Sequence, residues 1–304
     1  MGLAWQHGPF GENPSGQFLL EQPLPRHVLY AEPAGRRMRV ELAGAVVAHS
    51  ERVTLLHETA RYPVAYFPPA DLDAGLVRPS SHRTQHPQLG ETSWWSVEIG
   101  GQRFDDVAWS HPRPPRPARL MARLVAFVWD AMDAFYEEDE PILGHAADPY
   151  HRVDVRSSRR QLTVRLGGVL VAGTRAPLAV FETGFAPRWY APSRDVAAGV
   201  LHDDPLRTLC PYKGVARHFD VVADGRRAAA AAWSYPEALP ESARLAGYVS
   251  FDPEQLEVTL DGERLRPAAH QQVVATGTDR NLTNSPTGLS RLLSVNVGTP
   301  RPAQ

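Results

Sequence analysis

Short apolar, β-branched runs separated by glycine, proline or paired turn residues dominate the chain and predict strands joined by tight turns. Arg39 to Ala48 alternates around an Ala-Gly turn, and TVRL-GG-VLVA, starting at Thr163, has the form of a two-residue hairpin between apolar runs. Val53 to Leu56 and Leu178 to Phe181 read as short strands, followed by Val64 to Phe67 and Arg188 to Ala191. A second hairpin is expected where Trp94 to Ile99 meets Gly100-Gly101, and again where His218 to Val222 meets Asp224-Gly225. Gln255 to Leu260, Asp261-Gly262 and Glu263 to Leu265 predict a closing hairpin. Helical signals are confined to Ala118 to Ala126 and to Glu241 to Gly247, the latter behind the helix-favouring Pro240. The expected class is mainly β, with close-spaced antiparallel strands in a compact sandwich or open barrel.

This pattern occurs twice. Sliding the chain against itself by 124 positions aligns about 100 residues without a gap. RVELAGAVVAHS falls on TVRLGGVLVAGT, and His57-Glu58-Thr59 on Phe181-Glu182-Thr183. Arg83-Thr84 falls on Arg207-Thr208, Pro87 on Pro211, Gly90 on Gly214, Trp109-Ser110 on Trp233-Ser234, and His27 on His151. The reading is a tandem duplication: a lead or strap over 1–26, a first unit over 27–140, a linker over 141–149, a second unit over 150–267, and a flexible tail over 268–304.

Composition changes this picture mainly by exclusion. A net charge of -2 with interspersed signs gives no electrostatic case for a nucleic-acid polymer as partner. A single cysteine excludes a disulfide framework and a four-cysteine zinc site. No basic-then-apolar leader opens the chain, and no run approaches the roughly 18 to 20 apolar residues that span a bilayer. The expectation is a cytoplasmic protein without a membrane partner, with its oligomeric state unread.

The densest candidate chemistry is Arg207-Thr208-Leu209-Cys210-Pro211-Tyr212-Lys213-Gly214, which holds the one cysteine and the one lysine. Pro211 and Gly214 suggest a tight loop presenting Cys210, Tyr212 and Lys213 to a pocket, where an ammonium would favour the thiolate. Against this, an unpaired cysteine is commonly a small buried apolar group and the lysine a solvated one. The first unit has His86 and Leu89 at the matching positions, so thiol-plus-lysine chemistry cannot operate in both halves. Arg83-Thr84 and Arg207-Thr208 could grip a carboxylate or phosphate, or the arginines could staple the loop by pairing with Glu58 and Glu182. Trp109-Ser110-His111 and Trp233-Ser234-Tyr235 could wall an apolar pocket or be core tryptophans with satisfied indoles. Trp94 joins the first unit's candidates. Ser234 lacks the context of a nucleophile elbow. His82 and His86 stand four apart without a supporting carboxylate or third histidine, so neither a metal nor another cofactor is expected.

The succession Phe181-Glu182-Thr183, Arg207 to Gly214, Trp233 to Pro236, and Pro240 through Phe251 resembles the domain of unknown function family 427, in the tandem two-copy form. The first unit resembles a second copy with His86, Leu89 and His111 replacing the cysteine, lysine and tyrosine. The resemblance implies small β-tent-like domains, two antiparallel sheets set over a pocket, and carries the label nucleotidyltransferase-like. That label needs a glycine turn followed by paired carboxylates for Mg²⁺, whereas Gly100-Gly101 is followed too soon by Asp105-Asp106. The leading expectation is a protein binding a small polar or aromatic ligand in the second unit. A group-transfer enzyme and a ligand-free structural module are the alternatives.

Overall fold

The computed structural model describes residues 2–266 apart from Gln6, Gln22 and Pro23, so the expected C-terminal tail lies outside the described residues. The first unit comprises β1 (Leu29–Pro33), β2 (Met38–Leu42), β3 (Ala45–Ser50), β4 (Thr54–Glu58), β5 (Val64–Phe67) and β6 (Val77–His86). It continues through β7 (Gly90–Ile99), β8 (Gln102–Ser110), β9 (Val125–Phe127), β10 (Ala134–Glu137) and β11 (Glu140–Ile142). The second unit repeats the succession as β12 (Val153–Ser157), β13 (Leu162–Leu166), β14 (Val169–Thr174), β15 (Leu178–Glu182), β16 (Arg188–Pro192) and β17 (Leu201–Cys210). It closes with β18 (Gly214–Ala223), β19 (Arg226–Ser234), β20 (Tyr248–Phe251), β21 (Glu257–Leu260) and β22 (Glu263–Arg264).

Each unit pairs a seven-stranded with a four-stranded antiparallel sheet, and the two units have the same topology. The first unit's orders are β1-β4-β5-β9-β8-β7-β6 and β11-β10-β2-β3; the second's are β12-β15-β16-β20-β19-β18-β17 and β14-β13-β21-β22. The large sheet is covered on both faces. Leu55, Phe67 and Val125 point into a core shared with the small sheet, while their neighbours Leu56, Tyr66 and Ala126 join Trp94, Trp109 and Met121 on the other face. Two-sided burial explains why β4 and β5 read as continuous apolar runs rather than as alternation. The second unit repeats the division, with Ala191 and Phe251 on one side and Val180, Tyr190, Tyr235 and Leu245 on the other.

Two sequence expectations need correction, and the repeat has a limit. The helical signals form 3-10 turns, Arg116–Met121 and Pro240–Leu245, and residues expected to extend the first helix are instead the strand Val125–Phe127. Each carries a proline at its first or second position, Pro240 and Pro117, which presets φ there, and in the first turn the backbone at Ala118 leaves helical geometry. The Arg-Thr segments are not loops: they end the ten-residue strands β6 and β17. Finally, the offset of 124 holds only to the last hairpin. Phe135 faces Val40 across its ladder, but Val258, rather than Thr259, faces Val164, so the second unit is one residue shorter there.

The segment before the first unit and the one between the units both pack on it. The Ala60 N–H donates to the Ala4 carbonyl at 2.9 Å, and the Thr59 hydroxyl to the Phe10 carbonyl at 3.0 Å. Ala146 belongs to the first unit's core, with Ile142 packed against it. Tyr62 is stacked between Trp5, with ring centroids 4.7 Å apart, and His145, at 4.0 Å.

Candidate functional site

The last residue of β4 and of β15 is a buried glutamate. Glu58 meets His27 at 3.0 Å, Arg61 at 3.1 Å and His86 at 3.3 Å. Glu182 meets His151 at 3.2 Å and is bonded directly to the Lys213 ammonium. A buried carboxylate must be paired, and stripping one partner from such a group costs about 3–5 kcal/mol. Both units satisfy the rule with the same upstream histidine and a different cation. Arg61 is replaced by Phe185, and Leu89, fully buried in the first unit, by Lys213. The lone lysine therefore takes the place of an arginine, on the carboxylate oxygen that the upstream histidine does not meet.

Electrostatics follow from this packing. Burial works against the charge of Glu182, but the hydrogen bond from His151 and the Lys213 charge outweigh it and pull the carboxyl down to about 2. Burial likewise opposes the Lys213 charge, yet Glu182 holds the ammonium above its ordinary value. The Cys210 thiol is pushed up, chiefly by burial, against the opposing pull of Lys213. The activated thiolate envisaged from sequence is thus disfavoured, because burial outweighs the pull of the lysine. In the first unit the His86 Nδ1 accepts the Gln88 and Leu89 backbone N–H groups at 3.2 and 3.1 Å. That leaves its proton on Nε2, facing Glu58.

The Tyr and Trp on the same face are duplicated too. The Trp109 indole donates to the Tyr66 hydroxyl at 3.1 Å, and Trp233 to that of Tyr190 at 3.3 Å. His111 extends the first network, with Nε2 3.3 Å from Tyr66 Oη and Nδ1 3.4 Å from Thr92 Oγ1. Burial, reinforced by His86, lowers His111 to about 4. Its counterpart Tyr235 is a core residue. Ser110 accepts the Trp95 indole at 3.0 Å and is buried, whereas Ser234 is half-buried.

Arg83 and Arg207 do not reach the glutamates. Register shifts between Pro79 and Arg83, and between Asp203 and Arg207, mark bulges that take carbonyls out of the ladder. Arg83 Nη1 binds the Ser80 and His82 carbonyls at 2.7 and 2.6 Å; Arg207 Nη1 binds those of Asp204 and Leu206 at 2.6 and 2.8 Å. Thr84 accepts the Trp94 indole N–H at 3.0 Å, and Thr208 lies 2.9 Å from His218 Nε2 at the corresponding place. The shared framework is therefore a bulge staple.

Tyr212 and Lys213 belong to the turn from β17 to β18. Tyr212 stacks on His151 with ring centroids 4.0 Å apart, and its hydroxyl accepts the Asp148 N–H at 3.0 Å, so it sits against the connector between units. Gly214, at φ +98°, passes so close to the Glu237 carbonyl that a Cβ would lie 2.9 Å from it, which requires glycine. Among the expected site residues, Glu58, His86 and Trp109 converge on a cavity of about 20 Å³ with Arg61 and Tyr66, room for a single water. Lys213, Glu182, Tyr212 and Cys210 form a second group. Arg207 and Thr208, like Arg83 and Thr84, stand apart at the bulges. Sequence reasoning did not give His27, His151, Tyr66 and Tyr190 roles in the site, although all four recur at the 124-residue spacing. No group of three or more His, Cys, Asp or Glu among the described residues could hold a metal ion. No helix among them is long and apolar enough to cross a membrane.

The profile of one family, described as Domain of unknown function (DUF427), matches residues 30–138 and again 154–262, two matches that start 124 positions apart and together cover more than half of the chain. The chain belongs to the DUF427 family. No curated protein matches it.

The two DUF427 units differ most at the mouth between their sheets. In the second DUF427 unit a groove of about 650 Å³ opens there, walled by Phe181, Trp189, Phe251, Val258 and Leu260. In the first, Trp129 lies flat on Phe135, with centroids 3.9 Å apart and planes at 4°. The residues at those places in the second unit are Pro253 and Val258, both lining the groove. Tyr150 covers the remaining side of the first mouth, packed edge-on to His57 at 5.6 Å. No residue expected from sequence to line a pocket borders the groove.

Proposed function

We propose that this DUF427 protein binds a small molecule and that the second unit carries the binding site, at the mouth between its two sheets. The observation supporting this is the asymmetry of the mouths. The same fold places a stacked Trp129–Phe135 pair and Tyr150 over one and leaves the other as a groove of about 650 Å³ with aromatic and aliphatic walls. That size and lining fall in the range of small-molecule sites. The Lys213 cluster is assigned to holding the second unit together: its ammonium, carboxylate and imidazole are committed to one another, and its aromatic ring to the seam.

A thermal-shift screen of the full chain against a small-molecule library tests the reading, with each hit measured again on the double variant Pro253→Trp, Val258→Phe, which recreates the first unit's stack. Hits should stabilise the natural chain and lose their effect on the filled variant. Hits that stabilise both equally would move the site elsewhere and overturn the assignment. The Lys213→Ala variant should melt far below the natural chain without ligand, as expected of a staple.

A further inference from the structure

The closed mouth of the first unit also indicates what the open one takes, granted the reading above that it takes a ligand. Tyr150 behaves there as a built-in occupant. Its ring packs against His57 on β4, and its hydroxyl donates to Glu32 on β1 at 3.0 Å. At the 124-residue spacing the two residues that hold it become Phe181 and Arg156. Phe181 keeps an aromatic wall but is 46% exposed, where His57, under Tyr150, is 2% exposed. Arg156 reverses the polarity. A carboxylate asks its occupant for a donor; a guanidinium has only donors and asks for an acceptor, best an anionic one.

The rest of the lining points the same way. Arg160, Arg264 and Arg266 join Arg156 around the groove, against one carboxylate, Glu263. Arg160 is held by Asp261 at 2.6 Å and lies over the Trp189 ring at 5.5 Å. Arg156 has Asp154 at 3.4 Å, whereas the Arg188 guanidinium lies over Trp233 at 5.2 Å, on the other face of the sheet. Arg264 and Arg266 are exposed at the edge of the groove. Apolar floor and cationic rim are complementary to a flat ring that carries a negative charge. We propose that the groove of the second unit binds a planar aromatic anion. Its ring lies on the wall of Phe181 and Trp189, and its carboxylate or phosphate is held by Arg156 with the rim arginines around it.

Titration calorimetry on the full chain decides this, using 2-naphthoate and its neutral analogue 2-naphthylmethanol as probes. Naphthoate should bind at least about tenfold more tightly than the alcohol, as expected for a gained charge-assisted bond. Arg156→Gln should weaken naphthoate by about tenfold while leaving the alcohol unchanged. Arg156 is exposed, and the alcohol serves as the control that the groove has kept its shape. Equal binding of both probes, insensitive to Arg156→Gln, would overturn the anion assignment and leave the small-molecule reading standing. Equal naphthoate affinity on the Pro253→Trp, Val258→Phe variant would overturn the location. Binding of neither probe at millimolar concentration would likewise overturn the anion assignment, and the library screen would then decide the small-molecule reading by itself.

Discussion

The two units solve the same two problems differently. Each must neutralise a carboxylate buried at the end of an inner strand, and each must finish the gap between its sheets. The first unit uses Arg61 with two histidines for the carboxylate and stacks Trp129 on Phe135 in the gap. The second brings in Lys213 from the turn between β17 and β18 and leaves the gap open. Duplication thus kept what the fold requires, His27/His151, Glu58/Glu182, Tyr66/Tyr190 and the bulge arginines. Variation is found where a second solution was physically available.

The largest expected effect is at Lys213. Lys213→Met leaves Glu182 buried with one imidazole and should cost about 3–5 kcal/mol, lowering the calorimetric midpoint of the second unit by roughly 10 °C or more. Adding Phe185→Arg, which copies Arg61, should restore part of that loss. A midpoint unchanged by Lys213→Met would remove the staple.

Acid should separate the units next. Burial holds His111 near 4, below its ordinary 6.5, so its contribution is complete above pH 6.5 and is lost as pH falls toward 4. The loss should be about 3 kcal/mol. His145, in the connector, is lowered to about 4 by burial and adds a loss of the same sign. Glu182, held at about 2 against an ordinary 4.5, keeps its contribution above 4.5 and loses it only as pH falls below that. His218 in the second unit is also lowered by burial but is only half-buried, so hydrogen exchange should show the first unit opening before the second between pH 6.5 and 4.5. His111→Tyr, which installs the second unit's residue, should narrow the difference.

Where the units agree, substitutions should cost the same. Thr84→Val leaves the Trp94 indole N–H without its acceptor and Thr208→Val leaves His218 Nε2 without its partner, and each should cost about 1–2 kcal/mol in chemical denaturation. Unequal losses would show that Trp94 and His218 are not equivalent. Cys210 should matter least. Iodoacetamide should alkylate it no faster than free cysteine at neutral pH, and Cys210→Ala should cost less than about 1 kcal/mol. Rapid alkylation would restore the thiol to candidacy.

The duplication and most hairpins were legible because turn dipeptides and apolar runs survive in both copies. Strands β6 and β17 were not, since each carries a proline, is interrupted by a bulge and shows solvent a largely polar sequence. The bulge is also why Arg83 and Arg207 were matched to the wrong partners. Freed backbone carbonyls leave no trace in side-chain identity, while a glutamate in the same repeat is conspicuous. The carboxylate itself, and the contrast of His86 and Leu89 with Cys210 and Lys213, could be read directly. The groove could not. It arises from Pro253 and Val258 standing where Trp129 and Phe135 stack, in the stretch where the repeat loses one residue.

The packing of Ala146 and Tyr150 bears on the order in which the chain becomes structured during synthesis. The first unit's strands end at Ile142, yet its core includes Ala146 and its mouth is closed by Tyr150. A nascent chain that has emerged only to Glu140 lacks both, and its aromatic seam waits on His145 to stack against Tyr62. The first unit can be completed only as the opening residues of the second leave the ribosome. Tyr150, one residue before His151, ties the finishing of one domain to the start of the next.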